Sequence, residues 1–279
     1  MLCDLHTHSI FSDGTCTPEE VVDLAIDAGL SAVALTDHNT VSGLPRFMAA
    51  ASGKNLDVAL GTEFSTTYDG RELHVLGLFI KPSDFPRITE ITKIDKARKE
   101  LSNLALIDSL GKAGYRLDYD EVKALNPNGE VNRSHFARAL LKKGYIDDMN
   151  EAFQTLLSEN GEHYREPERI PVPELLDFIT SIGAVPVLAH PFFKHSRQAI
   201  TRFLPSAIDA GLVGMECYYS ENDAETTEAS LRIAKEFHLL PSGGSDFHGS
   251  SKPDIRIGVG KGNLQIPYEW YLALREKAR

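Results

Sequence analysis

The chain has 279 residues, is 42% hydrophobic and carries a formal net charge of -11. That length supports one large domain or one domain carrying a smaller one, and the acidic balance argues against broad electrostatic attachment to long nucleic acid. There is no apolar run near the roughly 20 residues that cross a bilayer and no charged-then-apolar leader, and Cys3, Cys16 and Cys217 form no CxxC pair; the expectation is a cytoplasmic protein with no membrane partner and no structural zinc.

The first stretch with a chemical pattern is DLHTHSIFSDGT, residues 4–15. Side chains alternate faces along a strand, so His6 and His8 in LCDLHTH point the same way, with Asp13 following in the next loop. A helix is predicted near Pro18 to Ala28, then the strand AVALTDH, a helix from Gly43 to Ala51, and the strand DVALGTEFST. RELHVLGLFI comes after the turn-forming Tyr68-Asp69-Gly70 and is predicted to hairpin onto the strand before it. From about Ile94 the pattern turns helical through KARKELSNLALIDSLGKAGY, DEVKALN, NRSHFARALLKKGY and MNEAFQTLLSENG. From about Pro173 alternation returns, with helix PELLDFITSIG, strand AVPVLAHP, a helix, strand GMECYY, a helix and strand LPSGGSDFHG.

Alternating strands and helices imply a parallel sheet, and in closed barrels of that type the chemistry sits at the C-terminal strand ends. Those ends here read HTH, TDH, TEF, AHP and SDFH. The candidate ligands are therefore His6, His8, Asp13, His38, Glu63, His74, His190, Asp246 and His248. Imidazole with carboxylate suits zinc, manganese or iron. Nine ligands exceed the needs of one ion and suit two or three, with Glu63 as a bridge. A lone histidine is ordinarily a hydrogen-bonded core or surface group, but HxH with SDG, TDH, AHP and SDFH outweighs that reading. His74 lies inside a strand and reads equally as a core histidine. Asp37 should face away from His38 and support a ligand, and Asp4 lies too deep to join the set.

These motifs, DLHTHSIFSDGT, ALTDHNT, GTEFS, ELHVLG, LAHP and GGSDFHG, resemble in order those of the PHP (polymerase and histidinol phosphatase) phosphoesterases. The resemblance covers residues 1 to about 93 and about 167 to 260. It implies an α/β fold, a distorted seven-stranded β/α barrel over 1–93 and 167–279, with a helical insertion at 94–166 shaping the substrate pocket. It also implies a trinuclear site: His6, His8, Glu63 and Asp246 around one ion, Glu63, His74 and His190 around a second, Asp13, His38 and His248 around a third. Two to three Mn2+ ions are the leading expectation, with Zn2+ or Fe2+ as alternatives. A metal-bound hydroxide would attack phosphorus, His38 and His248 being candidate acid–base groups and, with Asp13, candidate substrate contacts.

Within the insertion, KARKELSN and NRSHFARALLKKGY resemble a small-substrate branch that includes a 3′,5′-nucleotide bisphosphate phosphatase and 5′-to-3′ exonucleases on short RNA. That adds Lys99, Ser102, Asn103, Arg133, Ser134 and His135 as expected substrate contacts. Physically, Asn132 or Ser134 can cap a helix whose first turn presents N–H groups and Arg133 to an anion, while Arg98 and Lys99 lie one turn before Ser102 and Asn103. A solvated basic helix face is the competing reading, evenly so for Arg98. The expected reaction is removal of the 3′-phosphate from nucleoside 3′,5′-bisphosphates to leave the 5′-monophosphate. The alternatives are 5′-to-3′ cleavage of short oligonucleotides and hydrolysis of histidinol phosphate, whose cationic substrate suits the basic insertion poorly. A metal-binding module of a polymerase would have lost ligands, and a non-phosphate amidohydrolase would carry a lysine at a strand end that this chain lacks.

Overall fold

The structure is a computed structural model, and it describes residues 1–126, 131–158 and 161–279. Glu159 and Asn160, near the end of the expected MNEAFQTLLSENG helix, lie outside the described residues. The chain divides into two compact units: a core unit of Met1–Thr89 with Ile170–Arg279, and a helical unit of Glu90–Arg169.

The core unit begins with β1 (Cys3–Asp4), α1 (Pro18–Asp27), β2 (Ala32–Leu35), α2 (Leu44–Ala51) and β3 (Asp57–Leu60). Thr17 and Glu20 form a capping box that starts α1, and Pro18 in the first turn costs no hydrogen bond. The helix buries Val21, Val22 and Ala25. All four residues of β2 are buried, as a strand covered on both faces requires. β1, β2 and β3 pair in parallel in that order.

β4 (Thr62–Tyr68) and β5 (Arg71–Leu78) form the expected antiparallel hairpin. Asp69 and Gly70 both have positive φ, 51° and 72°, the backbone twist that suits two-residue hairpins. The second sheet runs β6-β4-β5-β7-β8-β9, with β6 Ile170–Pro171, β7 Val185–Leu188, β8 Gly214–Tyr219 and β9 Leu240–Gly244. This sheet is mixed rather than parallel throughout. A two-residue turn can only return the chain antiparallel, so β5 opposes both β4 and β7. α7 (Val172–Ser181), α8 (Arg197–Asp209) and α9 (Ala224–Glu236) alternate with the later strands, and α10 (Tyr268–Arg275) comes after them.

Among the described residues, strand pairing gives two sheets, of three and six strands. Backbone hydrogen bonds link the sheets at both seams: Leu5 N to Gly243 O at 3.1 Å on one side, Asn39 N to Glu63 O at 2.9 Å on the other. The first seam requires glycine, because a Cβ on Gly244 would lie 2.1 Å from the Cβ of His6. Leu5, Ala34, Leu76, Val187, Ile266 and Leu274 are among the buried residues that fill the interior.

The helical unit takes in α3 (Phe85–Lys112) from Glu90 onward, α4 (Tyr119–Lys123), α5 (Arg133–Lys142) and α6 (Met149–Gln154). α3 starts well before the expected KARKELSN segment. Its early turns carry β-branched residues that weaken the helical signal, and burial of Ile88 compensates. Leu106, Leu110, Val122, Phe136, Leu140 and Tyr164 form the unit's own core. Among the described residues, no helix is long and apolar enough to cross a membrane.

Candidate metal centre

Glu63, fully buried on β4, is the hub of the site. Its Oε1 lies 2.7 Å from His74 Nδ1 and 2.8 Å from His190 Nε2. Its Oε2 lies 3.1 Å from His6 Nε2, 3.2 Å from His8 Nε2 and 3.1 Å from His38 Nδ1. Asp246 Oδ1 approaches His8 Nε2 at 3.2 Å, and Asp13 Oδ1 approaches His248 Nε2 at 3.1 Å. All nine candidate ligands therefore meet in one cluster, and they group as His6–Glu63–His190, His6–His8–Asp246, His38–Glu63–His74 and His8–Asp13–His38–His248. His74 joins because antiparallel β5 carries it past Glu63 in mid-strand; its neighbours in the pairing are Ser65 on β4 and, through its carbonyl, Ala189 beyond β7.

The donor set fits divalent ions. Glu63 Oε2, His38 Nδ1 and both ring nitrogens of His74 are buried without a well-aligned hydrogen bond, although each nitrogen stands 2.7–3.3 Å from a carboxylate oxygen of Glu63 or Glu72. Leaving such groups unmet costs about 1–3 kcal/mol each, which a shared cation would relieve. The outward nitrogens of two imidazoles are held elsewhere. His6 Nδ1 donates to Glu216 Oε1 at 3.2 Å, and His248 Nδ1 donates to the Asp246 carbonyl at 2.8 Å. Each ring thereby turns Nε2 toward the cluster, the tautomer a ligand needs. Two of the candidate ligands sit in left-handed backbone, His190 at φ 25° and Asp246 at φ 55°. Such strain costs about 1–3 kcal/mol per residue and collects at functional sites.

Electrostatics run in the same direction. Burial alone would raise the Glu63 carboxyl, yet the imidazoles of His38, His6 and His74 hold it well below the usual range. Asp246 is likewise held down against burial by Lys252 and His248. Burial pushes His38 down to about 3 despite Glu63 and Asp13. Against burial, Asp246 and Glu63 hold His8 up at about 9, and Glu63 with Glu72 holds His74 up at about 9; a bound cation would displace those protons.

Asp37 is buried facing away from the cluster and accepts from Ser9 N, Ser9 Oγ and Ser12 Oγ at 2.8, 2.6 and 2.7 Å. It ties down the loop that carries Asp13. Asp4 accepts from the backbone N–H groups of His6, Ser245 and Gly258 and has a structural part.

In the helical unit, Asn132 caps α5 and accepts from Ser134 N and Oγ, while His135 Nδ1 accepts from Asn132 N. The Arg133 guanidinium lies 4.6 Å over the ring of Tyr164, and Lys99 Nζ lies 5.7 Å from the same ring. Lys99, Arg133 and Ser134 thus gather near one helix start. Ser102 Oγ donates to Arg165 O at 2.6 Å, and Asn103 Nδ2 donates to Val131 O and Tyr119 Oη. Asn103 is buried and bolts α3 to its neighbours. Arg98 pairs with Glu168 at 3.1 Å.

A family model described as PHP domain matches residues 4–166. The chain belongs to that family. The 5′-3′ exoribonuclease of Haemophilus influenzae is 32% identical over 246 residues, covering 88% of this chain and 89% of its own length. The 3′,5′-nucleoside bisphosphate phosphatase of Chromobacterium violaceum is 30% identical over 257 residues, covering 91% and 90%. A solved structure described as an amidohydrolase from Chromobacterium violaceum, holding sulfate and no metal, superposes with a TM-score of 0.85 at 27% identity, covering 100% of this chain and 98% of that one.

Three supports of this PHP cluster are not apparent from the sequence alone. Glu216, mid-strand in β8, holds His6 and also accepts from the backbone N–H of His190 at 2.6 Å. Tyr219 and Lys252 donate to Asp246 Oδ2 at 3.2 and 2.6 Å. The available signal was an acid inside the apolar run GMECYY, whose full burial demands partners. Partners of this kind are worth about 10- to 100-fold in metal affinity or activity. Glu216→Gln should weaken manganese binding by that factor in a chelator competition titration; unchanged affinity and turnover would leave Glu216 a packing residue.

Proposed function

We propose that this protein is a metal-dependent phosphoesterase that removes the 3′-phosphate of nucleoside 3′,5′-bisphosphates, leaving the 5′-monophosphate. The observation that carries the phosphoester chemistry is the convergence of nine imidazole and carboxylate ligands on Glu63. Bound divalent ions, most readily two or three Mn2+, would supply charge for the phosphoryl oxygens and lower the pKa of water from 15.7 to about 7. The chain's own residues do the rest. His6, His8, Glu63 and Asp246 would hold one ion, Glu63, His74 and His190 a second, and Asp13, His38 and His248 a third. Tyr219 and Lys252 hold Asp246, and Glu216 orients His6. His38 and His248 lie with Asp13 at the edge of the cluster, and where the third ion is absent one of them could instead pass a proton to the departing 3′-oxygen.

The choice of a substrate with two phosphates rests on the helical unit. An acidic chain gathers Lys99, Arg133 and Ser134 at one helix start, a group suited to a second anion. We assign it the phosphate that does not react. A charge-assisted hydrogen bond contributes roughly 1.5–3 kcal/mol, or about ten- to a hundredfold in affinity. Arg133→Ala should weaken a nucleoside 3′,5′-bisphosphate by that factor in steady-state phosphate release and barely change a simple aryl phosphate. Equal losses on both would make Arg133 part of the fold or of the reacting-phosphate contact.

The 32% identity to an exoribonuclease favours a second reading, stepwise 5′-to-3′ cleavage of short RNA. Release of a 5′-monophosphate from an oligonucleotide breaks the same P–O3′ bond, beside the same 5′-phosphate. Incubating the manganese-loaded protein with phosphomonoesters, 3′,5′-bisphosphates and short 5′-phosphorylated RNAs separates the two by what is released. Equal turnover of 5′-monophosphates and bisphosphates would end the two-phosphate argument.

A further inference from the structure

Next to the ligand cluster the core unit holds a cavity of about 390 Å3 that the phosphate chemistry does not use. It lies between the loops after β7 and β8, and its walls include Phe193, Arg197, Tyr219, Glu221 and Asn222. Phe193 is 58% exposed. A single exposed apolar ring is ordinary; the place of this one is not. Its centroid lies 5.8 Å from the ring of His190 and 6.2 Å from that of Tyr219. Tyr219 in turn lies 5.2 Å from His190 and donates to Asp246. An aromatic wall therefore runs from two candidate ligands into the cavity.

The wall is pre-formed. Phe193 N donates to His190 O at 3.0 Å, Pro191 restricts the turn between them, and Glu216 pins His190 from below. The charge in the cavity is also settled. Arg197 pairs with Glu225 at 2.9 Å, and Glu221 pairs with Lys261 at 2.6 Å. A site with compensated charges, the exposed face of Phe193 and the Asn222 amide at its rim suits a flat, uncharged, polar-edged ring rather than another phosphate.

We propose that this cavity receives the nucleobase of the substrate, with Phe193 as its stacking face; the inference rests on the nucleotide reading above. Every base has a π-face, so one aromatic ring accepts all of them and selects for a base as such. The reaction itself is unchanged, because Phe193 touches the base and not the reacting phosphorus.

The test compares the manganese-loaded wild type, Phe193→Ala and Phe193→Trp on adenosine 3′,5′-bisphosphate and on methyl ribofuranoside 3,5-bisphosphate, which has no base. Inhibition by adenosine and by inorganic phosphate is measured alongside. Phe193→Ala should raise KM for the adenosine substrate and Ki for adenosine about ten- to a hundredfold, with kcat nearly unchanged. It should leave the base-free substrate and the phosphate Ki unaltered, and Phe193→Trp should retain wild-type values. Equal losses on both substrates would place Phe193 in support of His190 and overturn the proposal, as would no loss on either. A wild type that hydrolyses both bisphosphates with the same KM overturns the base cavity alone. A wild type that hydrolyses neither, yet cleaves other phosphoesters, removes the nucleotide reading and this inference with it.

Discussion

Glu63→Gln is expected to reduce phosphate release by more than the hundredfold that marks the upper end for residues acting behind a ligand. Glu63 alone reaches five imidazoles, two through Oε1 and three through Oε2. An amide retains the shape but loses one of the two anionic oxygens that ions on either side would share. Elemental analysis of the variant should show fewer bound ions than the wild type, while circular dichroism in chelator stays native. Buried carboxylates can carry structural weight, so the fold control decides the interpretation. A folded Glu63→Gln that keeps its metal and its turnover would show that the hub is a hydrogen-bonded core group and that the ions, if any, sit elsewhere.

Protein purified without chelator is expected to carry two to three transition ions per chain, and exhaustive chelation should abolish phosphoesterase activity. Removal should also lower the melting temperature. A ligand bound only by the folded state at a hundred times its dissociation constant stabilises by about 2.7 kcal/mol, worth roughly 5–10 °C for a chain of this size. The sign comes from the cluster: without a cation, Glu63 Oε2, His38 Nδ1 and the His74 nitrogens remain buried with only poorly aligned polar contacts. Manganese added back should restore both properties. Full activity in chelator, or no bound metal in folded protein after manganese loading, would remove the centre. The two experiments are independent, since the first alters one ligand and the second removes what all nine would bind.

Local order carried much of this into the sequence. Apolar runs such as AVAL and VPVL marked buried strands. The strand alternation expected to set His6 and His8 on one face does not extend that far: β1 ends at Asp4, and both rings reach Glu63 from the segment that follows it. Thr17 with Glu20 and Asn132 with His135 cap the helices they precede. The hairpin across Asp69-Gly70 was equally local. Its tertiary consequence was not: β5 had to lie antiparallel against β7, a pairing over more than a hundred residues of chain that no short window contains. The same antiparallel course turned His74 from an ambiguous strand histidine into a neighbour of Glu63.

The sequence by itself determined the chemistry available here: which residue types stand at the strand ends, and that imidazoles and carboxylates in such number suit more than one ion. Their meeting belongs to the tertiary structure. Glu63 faces His190 across 127 residues, and Glu216 reaches His6 across 210. Periodicity reports which face of its own element a side chain occupies, and says nothing of which distant element lies opposite. That is settled when the buried sheets pair and pack around a common interior, which is why Glu216, Tyr219, Lys252 and the exposed ring of Phe193 took their roles only once the chain was folded.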